Sequence, residues 1–569
     1  MGIFVNQVGY FVQAKKVARI NFKVEKFDLR DDRGVSVYYG NVTHFGTDDI
    51  SGDDIYLADF SLVRIPGRYR IYAGLEKSYE FVIADNPYED IFKSSLKAYY
   101  FLRCGEELQE KYAGKFKRGK CHCKDAVVYK NEAVKKTVVG GWHDAGDYGR
   151  YVTAGAVAAS QLMYAYRFFE DEMKLDLDIP SCDRGRIPDI LSEVKVELDW
   201  LLKMQREDGA VYHKETTMNH ARFIMPEEDD SQMYLFPVSS IATADFAGTM
   251  ALGYLVYSKY DSEYAGILLD GAVEAYQWLA ANEEPLLFEN PKECTTGDYS
   301  EDEDFSNRFY AACVMLEVFG AERYFIDCKK WYKKLHEYFE NRNSSFGEYV
   351  VSANVDTELG YGCVSGLGAL SLFMYQDNTE MPREQKEFIN NIRLSFENEA
   401  QRLKALMDTN GYAASMLPSE YVWGSNMVML KHGMVLAMAD YKSGTYLEEI
   451  LEHINGLLGS NALGFSYVTG YGDNSCLNPH LRPTACDGID EIIKGFVSGG
   501  PNRNLQDPWA EKNIPRNTPP MKCYSDEVEA YSLNEITIYW NSPLVFLFGA
   551  VISFMKMKYR KFKKVKKIN

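Results

Sequence analysis

Two aspartates three residues apart, Asp144 and Asp147, sit in GGWHDAGDYGRY (Gly140–Tyr151), with glycines before and between them and His143 just ahead. Such a pair, brought together across a turn, can hold one water molecule while one carboxylate takes its proton as general base. The same residue types also serve as a helix N-cap and a turn former, and spacing alone does not choose. A second polar cluster, SYVTGYGDNSCLNPHLRP (Ser466–Pro483), carries His480 and Arg482 beside prolines. Both can donate hydrogen bonds to hydroxyls or to a carboxylate, although a lone histidine is more often a satisfied structural group. A third, YSDEVEAYSLNEITIYWNSP (Tyr524–Pro543), sets Glu535 near Tyr531, Tyr539 and Trp540. Aromatic surroundings raise a carboxyl's pKa and suit it to general acid work; an ordinary glutamate at a helix start is the other reading.

Cys104, Cys121, His122 and His143 form a different constellation, two thiols and two imidazoles. Cys₂His₂ is a closed tetrahedral zinc set. The spacing is not that of a zinc finger, Cys123 offers a competing thiol, and a buried free cysteine is the commoner fate.

These clusters need a frame to hold them. Over residues 1–85 the segments VARINF, VSVYYG, DIYLADF, GRYRIYA and SYEFVIA, punctuated by DDRG, SGDD and PG, predict a small β-sandwich of immunoglobulin type. After Asn86-Pro87 the period becomes helical, as in Ile187, Leu191, Val194, Leu198 and Leu201. Runs at 90–110, 154–170, 187–205, 241–260, 262–281, 305–319, 321–341, 361–375, 383–407, 426–441, 445–459 and 543–555 predict about twelve helices with almost no strand. An even dozen suits a toroid of six helical hairpins, with the polar clusters in its loops.

Composition narrows the function. A net charge of −19 argues against nucleic acid and anionic membrane as partners. The basic tail KMKYRKFKKVKK (Lys556–Lys567) reads as a solvated end. Tyrosine (41) outnumbers phenylalanine (31) and tryptophan (7), a hint of a polar cleft that stacks rings. MGIFVNQVGYF has neither a basic region nor a continuous apolar run, so no signal peptide is expected, and eleven scattered cysteines fit a reducing compartment; the expected location is cytoplasmic. Ile536–Met555 is apolar enough to suggest a membrane anchor. Asn541-Ser542-Pro543 is expected to start a helix there, leaving thirteen residues, 543–555, too short to span. A buried helix is predicted, with no membrane span. Oligomeric state is left open.

With these clusters in place, the chain resembles the glycoside hydrolases of family nine, in the branch with an N-terminal immunoglobulin-like domain. The resemblance covers nearly the whole chain, including VNQVGY (Val5–Tyr10) and Arg103-Cys104-Gly105. One signature matches at Ser466, Val468, Thr469, Gly472, Asn474, Pro479, His480 and Arg482. Another matches at Tyr524, Asp526, Tyr531, Glu535, Asn541 and Ser542. The resemblance implies an all-α (α/α)₆ barrel over 86–569 behind the small all-β sandwich over 1–85, and inverting hydrolysis of β-1,4-glucosidic bonds. By motif position Asp147 would be the catalytic base, Asp144 would help hold the water, Glu535 would be the general acid, and His480 and Arg482 would contact sugar. It also implies a structural zinc on Cys104, Cys121, His122 and His143, and calcium on ligands that cannot be matched residue by residue.

The expected substrate is a soluble β-glucan or cello-oligosaccharide, cut by an endoglucanase or cellodextrinase. An exo-acting β-glucosidase or exo-β-glucosaminidase is the alternative, with 229–236 or 301–305 blocking the cleft. A catalytically dead sugar-binding protein is a third reading, disfavoured because all three carboxylates are present. Trp142, Tyr148, Trp423 and Tyr471 are candidate rings for stacking on sugar, of which no more than half are expected to serve.

Overall fold

A computed structural model describes residues 1–180, 185–341 and 354–566, with side chains to Arg560. Nine strands occupy the first 84 residues: β1 (Ile3–Phe4), β2 (Gly9–Phe11), β3 (Val17–Ile20), β4 (Lys26–Asp31), β5 (Ser36–Asp48), β6 (Asp53–Asp59), β7 (Gly67–Ala73), β8 (Glu76–Lys77) and β9 (Phe81–Ala84). They pair in the order β1-β3-β6-β5-β4-β7-β9-β2, with β8 paired to β7, antiparallel except for β2 with β9. The long strand β5 pairs with β4 through its first half and with β6 through its second, with a register shift between His44 and Gly46. A bulge there bends one strand so that it serves both faces of the sandwich. Phe27, Leu29, Phe60, Ile71, Phe81 and Ile83 form the core between them. The alternation of apolar side chains reveals β3, β5, β6, β7 and β9. It misses β1 and β2, which are too short to show a period, and β4, where Phe27, Asp28 and Leu29 are buried in succession.

Twelve helices of eleven residues or more follow among the described residues: α1 (Glu89–Leu102), α2 (Val152–Phe168), α3 (Asp189–Met204), α4 (Ser240–Tyr257), α5 (Ser262–Ala281), α6 (Phe305–Phe319), α7 (Glu322–Asn341), α8 (Ser365–Asn378), α9 (Arg383–Asp408), α10 (Ser425–Ala439), α11 (Leu447–Leu457) and α12 (Ile538–Lys566). Even-numbered helices such as α2 (VTAGAVAASQLMYAYRF) are small or apolar around most of their circumference and are buried almost throughout. Odd-numbered ones such as α7 bury a single stripe, Tyr324, Phe325, Cys328, Trp331 and Leu335. The pattern sorts them into two layers. Helix α2 packs on α4, α4 on α6, α6 on α8, α10 on α12 and α12 on α2, while α9 packs on both α8 and α10.

Three expectations need correction. Helix α1 ends at Leu102 rather than near 110, because Arg103 turns to an extended backbone and Gly105 follows at φ +78°. Helix α12 starts at Ile538 and carries Pro543 inside it, so it is not a thirteen-residue segment. Ile538–Arg560 is long and apolar enough to cross a membrane, but 83% of its most apolar stretch is buried in the protein's own packing, which makes it a core helix. The helical region also holds a five-stranded sheet: β10 (Ala126–Val128), β11 (Asn131–Lys136), β12 (Arg150–Tyr151), β13 (Lys214–Thr216) and β14 (Tyr234–Leu235), ordered β11-β10-β14-β13-β12. Most of these are two or three residues long, so no period of two can be read from them.

The two parts of the chain are joined by buried polar contacts. Asn6 Nδ2 donates to the Tyr88 hydroxyl and to Asn455 Oδ1, each at 3.0 Å. Gln7 Nε2 donates to the Gly464 carbonyl at 2.9 Å, and Gln7 Oε1 accepts from the Asn474 N–H at 2.8 Å. Arg19 pairs with Glu452 at 2.6 Å.

Candidate active site

The three loops that carry the sequence motifs are stitched to one another through their backbones. Arg482 donates to the Gly146 carbonyl twice, from its backbone N–H at 3.1 Å and its guanidinium at 2.7 Å. The Ile538 N–H donates to the Asp144 carbonyl at 2.9 Å, the His480 N–H to the Asn534 carbonyl at 2.9 Å, and the Gly499 N–H to the Glu535 carbonyl at 2.8 Å. Gly146 lies so close to the second loop that a Cβ would stand 2.0 Å from the His480 carbonyl oxygen. We therefore expect Gly146→Ala to cost about 1–3 kcal/mol of stability or more. Its melting temperature and its hydrolytic rate should fall together; an unchanged rate would show that the two loops tolerate separation.

Asp144 and Asp147 are both buried, yet their surroundings differ. Asp144 Oδ2 accepts a hydrogen bond from the Tyr299 hydroxyl, and Oδ1 is buried with no hydrogen-bond partner. Burial pushes its carboxyl well above the usual range, against the Tyr299 hydrogen bond and with help from the Asp147 charge. Burial also opposes ionisation of Asp147, but a hydrogen bond from His220, the positive charge of Arg482 and the Gly149 N–H outweigh it and hold that carboxyl below the usual range. Glu535 goes the other way: burial, then the charges of Asp147 and Asp144, raise it far above an ordinary glutamate, against Arg482 and a hydrogen bond from Trp423. One carboxylate is kept ionised and one carboxyl kept protonated within reach of each other's field, from segments almost four hundred residues apart.

Cys104, Cys121, His122 and His143 also come together, all buried, with one donor atom from each lying within 4.8 Å of the others. The end of α1 and the Arg103–Trp142 bridge bring Cys104 beside the Gly140–Tyr151 loop. Cys121 Sγ lies 3.8 Å from His143 Nε2, close to the edge of about 3.5 Å expected of a zinc tetrahedron. His122 adopts φ +48°, and its Nδ1 is buried with no hydrogen-bond partner. Its Nε2 faces Asp229 Oδ2 at 3.4 Å, the second contact that fixes a metal-binding imidazole. Burial pushes His143 down to about 4, which keeps its imidazole neutral. The donor set fits a soft or borderline divalent ion.

Residues 88–548 match the profile of glycosyl hydrolase family 9, and residues 1–78 match that of the cellulase N-terminal ig-like domain. The chain belongs to glycosyl hydrolase family 9. It is 46% identical over 559 residues to a cellodextrinase of Butyrivibrio fibrisolvens, covering 97% of this chain and 99% of that protein. Among solved structures, a thermostable endoglucanase from Alicyclobacillus acidocaldarius superposes with a TM-score of 0.86 at 31% identity, over 97% of this chain and 99% of that one. A Zn-binding triple mutant of another family 9 endoglucanase superposes with a TM-score of 0.85 at 32% identity, over 95% and 99% of the two chains.

This family 9 site is not ringed by all the aromatics its sequence suggests. Trp142 is 1% exposed; its indole N–H donates to Glu193 and its backbone N–H to Glu197, so it offers no face to a sugar. Tyr148 is buried with its ring against His122 and His143, 5.3 and 5.0 Å away, as a cover over the Cys/His group. Tyr471 points its hydroxyl at Ser94 and Asp90 on α1, away from the three carboxylates. Trp423 does reach the site: it bears on the Glu535 carboxyl, and its ring lies 5.4 Å from Tyr531. His480 donates from Nδ1 to the Val528 carbonyl at 2.6 Å, which leaves Nε2 as an acceptor. Of Glu301–Phe305, Glu303 and Asp304 are buried at the start of α6.

Sequence reasoning passed over Tyr151, His220 and Tyr299. The Tyr151 and Tyr299 rings lie 4.6 Å apart, and each hydroxyl donates to one of the two aspartates. His220 lines a cavity of about 520 Å³ formed along 217–234 and touches Asp147. Tyr151 closes the stretch that carries the two aspartates, whereas no local pattern marks His220 or Tyr299.

Proposed function

We propose that this family 9 enzyme is a cellodextrinase-like β-1,4-glucanase, with Asp147 as base, Asp144 as a second holder of the attacking water, and Glu535 as acid. The observation that carries the reading is the placement of two buried carboxyls in one site with opposed surroundings: Asp147 is hydrogen-bonded by His220 and the Gly149 N–H, which favour its ionised form, and Glu535 is buried beside the aspartates, which favours its protonated form. The acetal oxygen takes a proton from Glu535 as the bond to the anomeric carbon breaks. Asp147 removes a proton from water attacking the opposite face. That geometry inverts the anomeric centre and needs the carboxyls roughly 6.5–9.5 Å apart, with room for the water between them. Arg482, buried beside Asp147, favours the ionised form of that carboxylate. The whole-length identity to a cellodextrinase supports soluble cello-oligosaccharides as substrate. A product profile on a cello-oligosaccharide series, with anomers read by NMR, tests this: the first-formed product should be α-configured, and a β product would sink inversion.

A second reading is exo-acting, as a β-glucosidase or exo-β-glucosaminidase. It is favoured by the segment 217–234, which includes part of 229–236 and builds a wall beside Asp147. Release of glucosamine from chitosan oligomers, with cellotetraose left intact, would replace the first reading with this one.

For the fold, we propose a closed (α/α)₆ barrel over 86–569, its inner ring the even-numbered helices, behind a sandwich ending near 85; the pairwise packing of those helices supports it. Zinc on Cys104, Cys121, His122 and His143 would fasten the catalytic loop without touching the reaction. We expect one zinc per chain by elemental analysis. Stripping it should lower the melting temperature first and activity as a consequence, and unchanged melting would contradict a structural ion. For calcium we assign no ligands: among the described residues the Cys/His group is the cluster whose donor atoms converge. We propose a reducing cytosolic compartment, a reading supported by the described cysteines, none of which is paired with another in a disulfide.

A further inference from the structure

We propose that Asp229 couples the Cys/His metal group to the wall of the cleft, so that a bound metal ion tightens the binding of cello-oligosaccharide. This rests on the metal and on the substrate proposed above.

The wall is the segment 217–234, which lines the cavity of about 520 Å³ beside Asp147. Its far end turns back onto the metal group. His122 Nε2 lies 3.4 Å from Asp229 Oδ2, and both residues are buried. Asp229 Oδ1 accepts from the Ser231 N–H at 3.1 Å, so the carboxylate bridges the imidazole and the backbone of the wall. Neighbouring contacts run the same way. Lys124 Nζ donates to the Asp230 carbonyl at 3.0 Å, and Gln232 Nε2 to the Asp125 carbonyl at 3.1 Å. Beyond them Val127 pairs with Tyr234. The stretch that carries His122 and the far end of the wall are tied together.

The two nitrogens of His122 have different partners. Nε2 faces Asp229, whereas Nδ1 is buried with no hydrogen-bond partner. Nδ1 is therefore the nitrogen offered to a metal ion. An ion on Nδ1 leaves the ring's one proton on Nε2, where it donates to Asp229. In a neutral ring without the ion, the proton can sit on Nδ1 instead, and the carboxylate then faces a lone pair. Occupancy thus selects the form of His122 that holds the wall.

The near end of the wall meets the loops of the reaction. Arg482 Nε donates to the Ala221 carbonyl at 2.9 Å, and the Tyr148 hydroxyl donates to the Ile224 carbonyl at 2.5 Å. Asn219, His220 and Arg222 line the cavity at this end, polar groups suited to sugar hydroxyls. A wall held at both ends presents them in one arrangement, which lowers the ordering cost of binding. Such a coupling is reciprocal: if the ion tightens the sugar, the sugar tightens the ion by the same factor.

The test uses the zinc-loaded full chain carrying Glu535→Gln, which cuts too slowly to consume its ligand. Zinc affinity is measured by competition with a chromogenic chelator, with and without saturating cellotetraose. The sugar should raise zinc affinity about fivefold or more. Adding Asp229→Ala should remove most of that gain and weaken cellotetraose binding in calorimetry, with zinc still bound. Adding Asp229→Asn, whose amide oxygen can still accept from Nε2–H, should keep most of both. A gain that persists in Asp229→Ala, as general stabilisation by the sugar would give, overturns the coupling. So does an unchanged zinc affinity in a chain that calorimetry shows to hold cellotetraose. If calorimetry finds no sugar bound, or elemental analysis no zinc, the substrate or metal reading beneath it fails and the coupling falls with it.

Discussion

Glu535→Gln will lose roughly 10²–10⁴-fold in kcat on cellotetraose. The loss will be much smaller on an aryl cellobioside with a dinitrophenolate leaving group. An alkoxide departing from a sugar needs a proton as the bond breaks, whereas dinitrophenolate is stable as an anion and leaves unaided. The substrate dependence is the diagnostic part: equal losses on both substrates would mean that Glu535 is not the acid. The same variant carries a stability signature. Burial and the two aspartate charges raise the Glu535 pKa in the folded protein. Between its unfolded and folded values the native state binds more protons than the unfolded chain, so this residue withdraws stability as pH rises through that window. A neutral glutamine of nearly equal shape removes the cost. At pH 7 the variant should melt no lower than the parent, and higher if Glu535 ionises there.

Asp147→Asn should lose a comparable factor in kcat, roughly 10²–10⁴, on both substrates alike. Water activation is required whatever the leaving group, so a good leaving group gives no rescue. KM should change little, because the variant keeps a side chain of the same shape. Rescue on the aryl substrate would exchange the roles of Asp147 and Glu535. The pH profile follows from the same environments. Asp147 is held below the usual carboxylate range and Glu535 well above it. The acid limb of kcat/KM belongs to protonation of Asp147 and the basic limb to ionisation of Glu535, leaving a broad plateau between them. A profile that rises with pH through the neutral range without a basic limb would contradict a glutamic acid as proton donor.

Much of the frame is legible in the sequence, because helices such as α2 and α10 are small or apolar around most of their circumference and are buried almost throughout, and helices such as α7 show one clean stripe. The β10–β14 sheet is not legible: its strands are held by partners distant in the chain, as Val127 is paired with Tyr234. The start of α12 was misjudged for a related reason. Asn541-Ser542-Pro543 has the chemistry of a helix beginning, but the Asn541 side chain is engaged with Ser95 and Val497 and the Ser542 hydroxyl with Gln161. Tertiary partners claimed the groups that would have capped it.

The site divides in the same way. Local spacing leaves Asp144, Asp147 and Glu535 each with an ordinary alternative, and only convergence in space separates their environments. Trp142 shows the limit from the other side. A ring beside charged residues in a glycine loop looks like a platform, yet Glu193 and Glu197 on α3 draw it inward. His220 has no local signal at all, since Asn219 and Ala221 form no pattern with it.

The contacts made by Asn6 and Gln7 bear on heredity. Gln7 holds the backbone of Asn474, six residues before His480 in the same loop. The small sandwich therefore reaches the loop that carries His480 and Arg482 through one amide side chain. It is not an accessory that a genome could trade for another family's binding module while leaving the hydrolase intact. A transplanted sandwich would have to bring its own asparagine–glutamine pair in register, or the loop that ends in His480 and Arg482 would lose its outer support. Chimaeras cut near residue 85 should therefore keep their stability best between relatives that share that pair.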